Sequence, residues 1–122
     1  MPMTDTPFSG RGLTAWRAKQ IEGCVAESLA STIRVQDLAR SVRLSPGHFS
    51  RGFKARFGAT PRAWIIQQRL RQAQAMMLES QHSLSQIALD CGFSDQAHFS
   101  RMFRRKTGAT PGAWRRARRE ER

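Results

Sequence analysis

The sequence predicts an all-α protein of about seven helices, in which a two-helix module is used twice with a long helix between the copies. Three observations predict it. Residues 48–64, HFSRGFKARFGATPRAW, recur at 98–114 as HFSRMFRRKTGATPGAW, identical at eleven of seventeen positions with a constant offset of 50. Apolar residues recur at helical rather than alternating spacing. Ser-Pro or Thr-Pro pairs precede several of these periodic stretches and Gly follows them, the usual punctuation of helix starts and stops.

In chain order, residues 1–12, MPMTDTPFSGRG, read as a flexible tail rich in Pro, Gly, Ser and Thr. They lack the basic start and apolar stretch of a secretory signal. A first helix is expected from about Leu13 to Leu29, with Ile21, Cys24, Val25, Ser28 and Leu29 inward. Val35, Leu38, Ala39 and Val42 then follow i, i+3, i+4, i+7 spacing, a short amphipathic helix. Arg43-Leu44 interrupt it, and Ser45-Pro46 restart a helix, with Ser as N-cap and Pro where its missing N–H costs nothing. Phe49, Phe53 and Phe57 form that helix's inner stripe and Gly58 ends it.

The second copy repeats this grammar with one residue inserted. Leu38-Ala39, Val42 and Leu44-Ser45 correspond to Ile87-Ala88, Cys91 and Phe93-Ser94. Ser83 to Gln86 is a capping-box pattern, Gly92-Phe93 turns, Ser94 is the expected cap, and Gly108 is the stop. Gly92 suits a left-handed turn; its counterpart Arg43 would cost about 1 kcal/mol there, so a differently shaped first turn is expected. Two short helices around a tight turn, the second one basic, make a helix-turn-helix. The units are expected over about 35–58 and 84–108. The helix between them, about 61–79, has Ile66, Leu70, Ala73 and Met77 on one stripe. Thr110-Pro111 open a last helix, and residues 117–122 read as a basic, solvated tail following an ordered domain over 13–116.

Charge says what such units meet. Lys and Arg number 21 against nine acids, a formal net charge of +12, which calls for a polyanionic partner. The linker helix would span roughly 28 Å at 1.5 Å per residue, close to the roughly 34 Å turn of B-DNA. It could therefore carry two recognition helices to successive major grooves of one duplex. The deep, narrow groove of A-form RNA does not admit a helix, which ranks a basic RNA-binding protein below a DNA-binding one. Catalysis finds no support: the acids are scattered, and no nucleophile–base pairing, phosphate loop or metal-ligand spacing occurs. Cys24 and Cys91 fall in apolar helical stripes and read as small buried hydrophobes. No cofactor or metal is expected, nor any membrane-spanning segment.

With the Phe pair of each second helix turned inward, the outward residues follow. In the first unit Gly47, His48, Arg51, Lys54 and Ala55 point away, with Ser50 at the flank. In the second Ala97, His98, Arg101, Arg104 and Arg105 do, flanked by Gln96 and Ser100. A mid-helix Arg can pair two donors with guanine O6 and N7, and Gln can read adenine; Ser contacts base or phosphate. Lys54, Arg104 and Arg105, further along, suit phosphates. The histidines suit DNA contact and packing equally well. Trp64 and Trp114, each following Thr-Pro, are read as plugs fastening the next helix to the core.

The stretch IALDCGFSDQAHFSRMFRRKTGATPGAWR, Ile87 to Arg115, is similar to the signature of the AraC/XylS-type regulators. RLRQAQAMML, with Arg69, Ala73 and Leu78, is similar to that family's linker helix. The chain thus resembles the family's DNA-binding domain from about Leu13 to Arg116. Most members add an effector-binding or dimerisation domain; this sequence resembles the short single-domain members. The resemblance implies a bacterial, cytoplasmic, nucleoid-associated transcription regulator, an activator rather than a repressor. It implies double-stranded DNA and RNA polymerase as partners and a monomer on DNA. The alternative within the family is a DNA-binding fragment of a larger effector-controlled regulator.

Overall fold

In the computed structural model of the chain, residues 13–121 are described, and among them there are seven helices and no strand. They are α1 (Ala15–Glu27), α2 (Val35–Ser41), α3 (Pro46–Phe57), α4 (Pro61–Glu79), α5 (Leu84–Asp90), α6 (Gln96–Thr107) and α7 (Pro111–Glu120). The tail read over residues 1–12 lies outside the described residues. The chain divides into two compact units. The first holds the described residues through Ser28 and Thr32–Ile65; the second holds Leu29–Ser31 and the described residues from Ile66 on. Helix α4 begins in the first unit and continues into the second.

Caps decide where the helices start. Thr14, Ser45, Ser83 and Thr110 each accept a hydrogen bond from the backbone N–H three residues on. Thr60 does so for Ala63 at 3.2 Å. Helix α1 is therefore shorter than its apolar pattern, because Thr14 caps it and Ser28 ends it. The capping box at Ser83 is only half made. Ser83 accepts from the Gln86 N–H, but the Gln86 side chain donates forward to Asp90 at 2.8 Å. Gly58 and Gly108 end α3 and α6 with φ of 77° and 85°, their N–H groups bonding Lys54 and Arg104 carbonyls. The left-handed backbone then turns the chain out of the helix, and Gly adopts it without a Cβ clash.

Three further expectations are corrected. Ser94 does not cap α6; Asp95 does, its carboxylate accepting from the His98 N–H at 2.7 Å. The inserted residue therefore sits in the turn ahead of the cap, and the second turn is one residue longer. The Arg43 turn is not shaped differently. Arg43 takes φ 61°, as its counterpart Gly92 takes 92°. The Leu44 N–H reaches the Ala39 carbonyl at 3.0 Å, and the Phe93 N–H reaches that of Ala88 at 2.9 Å. Lastly, residues 117–120 are helical rather than a loose tail, although Ala117, Arg118 and Glu120 are exposed. They continue α7, because Arg119 is drawn inward to carbonyls at the end of α4.

Each unit has its own apolar core. In the first, Ile21, Val25, Ala39, Val42, Phe49 and Phe53 are fully or almost fully buried. Phe57 is only half-buried and stacks on Phe53 with ring centroids 4.2 Å apart. Ile65, rather than Ile66, is the buried isoleucine at the start of α4. In the second unit Leu70, Ala73 and Met77 of α4 meet Ile87, Ala88, Cys91, Phe93, Phe99 and Phe103, with Ile66 packed alongside. The tryptophans hold matching places. Trp64 meets Phe53 edge-on at 5.5 Å and Trp114 meets Phe103 edge-on at 5.5 Å. Each ties the helix it opens to the helix before it.

Candidate nucleic-acid interface

Two buried phenylalanines orient each recognition helix. Phe49 and Phe53 in α3, and Phe99 and Phe103 in α6, are wholly buried, with ring centroids 5.6 Å apart in both pairs. A four-residue step keeps both rings on one face, so the opposite face must look outward. Gly47, Arg51, Lys54 and Ala55 of α3 are exposed, and Ser50 is half-buried at the side. On α6, Gln96, Ala97, Arg101, Arg104 and Arg105 are exposed and Ser100 is half-buried. The outward faces expected of both helices are therefore present, each on its own unit. Arg51 lies back along α3, so a Cβ added at Gly47 would stand 3.4 Å from its Nη1. That is ordinary contact, and Ala97 carries such a Cβ in α6.

The histidines are half-buried and tied to the helix starts. Ser45 Oγ accepts from the His48 N–H at 3.3 Å and lies 2.9 Å from His48 Nδ1. In the longer second turn those tasks are divided. Asp95 accepts from the His98 N–H, while Ser94 Oγ lies 3.4 Å from His98 Nδ1. His98 also packs edge-on against Phe93 at 5.5 Å.

Several arginines counted in the overall charge are structural. Arg115 donates to the carbonyls of Met77 at 2.9 Å, Ser80 at 2.7 Å and His82 at 2.8 Å. Arg119 adds bonds to Met77 and Ser80. Helix α4 ends there, and its last carbonyls have no partner within the helix. Two guanidiniums supply the missing donors and oppose the negative end of the helix dipole. Burial, and then the neighbouring Arg119 charge, pull Arg115 below the usual arginine value. Arg69 likewise donates to the Leu29 and Ser31 carbonyls at 3.1 and 2.8 Å, and burial lowers its pKa. Sequence reading missed these three roles, because a guanidinium aimed at a distant carbonyl leaves no local pattern. Of the basic side chains still exposed, Lys54 and Arg56 end α3 and Arg104, Arg105 and Lys106 end α6, while others, such as Lys19, Arg40, Arg62 and Arg71, lie on other helices. No helix of the described residues is long and apolar enough to cross a membrane.

Two basic helices, each pinned by a buried Phe pair and preceded by a tight left-handed turn, define a tandem helix-turn-helix domain. The description "Helix-turn-helix domain" names the family whose members match residues 38–117, and the chain belongs to that family, in its AraC-type group. The probable transcriptional regulator LumQ of Photobacterium leiognathi is 36% identical over 77 residues, covering 63% of this chain and 31% of LumQ. The regulatory protein PocR of Salmonella typhimurium is 38% identical over 66 residues, 54% of this chain and 22% of PocR. The chain thus spans a third or less of the length of these relatives. Among solved structures, the DNA-binding domain of the global transcriptional factor AdpA, in complex with a target DNA, superposes with a TM-score of 0.81. It is 32% identical, covering 87% of this chain and 95% of that one. An AraC-type regulator from Chromobacterium violaceum gives a TM-score of 0.78 at 27% identity, covering 84% and 91%.

Proposed function

We propose that this chain is the sequence-specific double-stranded-DNA-binding part of a transcription regulator, an activator rather than a repressor. A monomer places α3 and α6 in successive major grooves of an asymmetric site and engages RNA polymerase from there. The observation that carries the reading is the pair of exposed arginines, Arg51 and Arg101, each opposite a wholly buried Phe pair. At mid-helix on the outward face, each can form a two-pronged contact with guanine. The match to AdpA's DNA-binding domain, solved with a target DNA, supports the partner class. Asymmetry follows from unlike outward residues: Gly47 against Ala97, Lys54 against Arg104, Ala55 against Arg105. Gln96, Ala97, His98 and Ser100 in the second unit, and Gly47, His48 and Ser50 in the first, complete the contact surface.

The test is selection of bound duplexes from a random pool, followed by competition with half-mutated sites. Arg51→Ala is expected to relax preference in one half of the site and Arg101→Ala in the other, each costing roughly 1–3 kcal/mol. Lys54→Ala and Arg105→Ala should weaken all duplexes alike. Equal loss on matched and scrambled DNA for the two arginines would make them phosphate clamps. A palindromic site bound only by a two-fold dimer would overturn the monomer reading.

A further inference from the structure

The basic character of the chain is interrupted once. Between Arg71 and Arg101 the sequence holds no Lys or Arg, while three acids, Glu79, Asp90 and Asp95, fall there. No other stretch of this +12 chain runs so long without a base. Helix α5 lies wholly inside it and is the one helix of the described residues with no basic residue. The sister helix α2 differs at matching places. Leu38-Ala39 corresponds to Ile87-Ala88, so the next residue, Arg40, corresponds to Leu89. The helix starts differ in the same sense, for Arg34 precedes α2 and Ser83 precedes α5. Arg40 is exposed and lies 3.5 Å from Asp37. Leu89 is 55% exposed, one of two large hydrophobics left in solvent among the described residues.

A single exposed leucine is commonplace. The setting of Leu89 is not. Ile87 and Ala88 turn into the core, and Ser85, Gln86 and Leu89 are the exposed residues of α5. Steps of three and four place Gln86 and Ser85 beside Leu89 on the helix surface. Gln86 donates to Asp90 at 2.8 Å, which fixes an amide and a carboxylate next to the leucine. An apolar centre free of charge, with a polar rim, is the anatomy of a protein interface. The charge also selects the occupant. A face with an acid and no base repels DNA, while the basic recognition helices attract it, so α5 is not drawn onto phosphates. A protein seated on the adjoining DNA is basic where it meets that DNA. Such a protein complements the acidic stretch around α5.

We propose that the exposed face of α5, centred on Leu89 and rimmed by Ser85, Gln86 and Asp90, docks a second DNA-bound protein that meets it with an apolar socket and a basic rim. The face belongs to the second unit alone, since Arg40 replaces the leucine in the first. This inference rests on the DNA-binding reading above and names the surface through which the polymerase of that reading is engaged.

Recruitment on DNA tests it. The duplex carries the selected site beside a promoter, and purified bacterial RNA polymerase holoenzyme is the probe. Leu89→Ala should bind the duplex alone as the wild type does and keep close to its melting temperature, because the side chain is neither a DNA contact nor part of the core. Its enhancement of polymerase occupancy should fall roughly threefold to thirtyfold, the loss of about one or two buried methylenes. Leu89→Arg, which gives α5 the residue of its sister helix, should abolish the enhancement with duplex affinity equal or slightly higher. Enhancement by both variants equal to that of the wild type would overturn the docking face and leave the DNA-binding reading standing. A wild type that binds the duplex without raising polymerase occupancy would overturn the docking face together with the polymerase contact. A wild type that binds no duplex would overturn the DNA-binding reading as well. Loss of duplex affinity in Leu89→Ala without polymerase would overturn the docking face by marking Leu89 as a DNA contact. So would a dimer of the free protein that Leu89→Arg dissolves, since the face would then join copies of this chain.

Discussion

Glycine positions show how differently one residue type can be required. Gly58 and Gly92 both have positive φ, but nothing lies within 4 Å of a Cβ built on Gly58. Gly58→Ala should therefore cost only the strain of a left-handed alanine, about 1–2 kcal/mol. Gly92→Ala adds a collision with the Leu29 carbonyl and with Arg69 Nε at 2.6 Å. Its cost should reach about 2–5 kcal/mol, strain and overpacking together. Urea unfolding of the two variants checks the ranking, and equal midpoints would refute it. Cys91 supplies a second prediction at this scale. Burial, with the Asp90 charge second, pushes its thiol up to about 11 from 9.0. The folded state thus resists ionisation that the unfolded chain undergoes near pH 9. The stability this group contributes is full below about pH 9 and is lost as pH rises toward 11. The stability difference between wild type and Cys91→Ala, followed by melts across that range, should shrink steadily as pH rises. A flat difference would mean that Cys91 ionises as easily folded as unfolded.

Helix ends depend on partners from elsewhere in the chain. The end of α4 is held by Arg115 and Arg119 of α7, which bond the same carbonyls of Met77 and Ser80. Removing Arg115 leaves the His82 carbonyl without a charged donor and those of Met77 and Ser80 with Arg119 alone. Arg115→Ala should cost about 2–4 kcal/mol, since bonds to charged groups are among the stronger ones. Arg118, on the exposed side of α7, stands over the Trp114 ring at 5.1 Å. Arg118→Ala should lose no more than about 1 kcal/mol. Thermal melts of the two variants would separate a structural arginine from a surface one; equal losses would refute the clamp. These residues look alike in sequence, in the run Arg115, Arg116, Arg118, Arg119, and only the path of α7 past the end of α4 tells them apart.

For the whole molecule the governing quantity is charge. The net charge is +12, and both recognition helices carry exposed basic side chains. Neutralising about six to ten phosphates releases that many counterions, so affinity should fall by roughly 10³–10⁵ between about 50 and 200 mM salt. A titration of one duplex across that range measures the slope. A nearly flat dependence would remove the electrostatic basis of the proposed function. Arg69, Arg115 and Arg119 spend their donors inside the second unit, so the slope should lie toward the lower end.

The helices, their caps and the inward phenylalanines were legible in the sequence because each is set locally. A cap reads the residue three positions on, and a helical stripe reads steps of three and four. The outward face of α3 and α6 followed from the same periodicity, which is why the candidate contact residues could be named by elimination. The turn was misread where two neighbours could both cap: Ser94 and Asp95 both carry capping oxygens, and only backbone position chose Asp95. Arg43 was misjudged because strain in one residue can be outvoted by the packing of the two helices it joins. The fates of Arg69, Arg115 and Arg119 lay beyond local reading altogether. Their partners stand 33 to 42 residues away in the chain, and a guanidinium becomes structural only when the fold brings orphaned carbonyls to it.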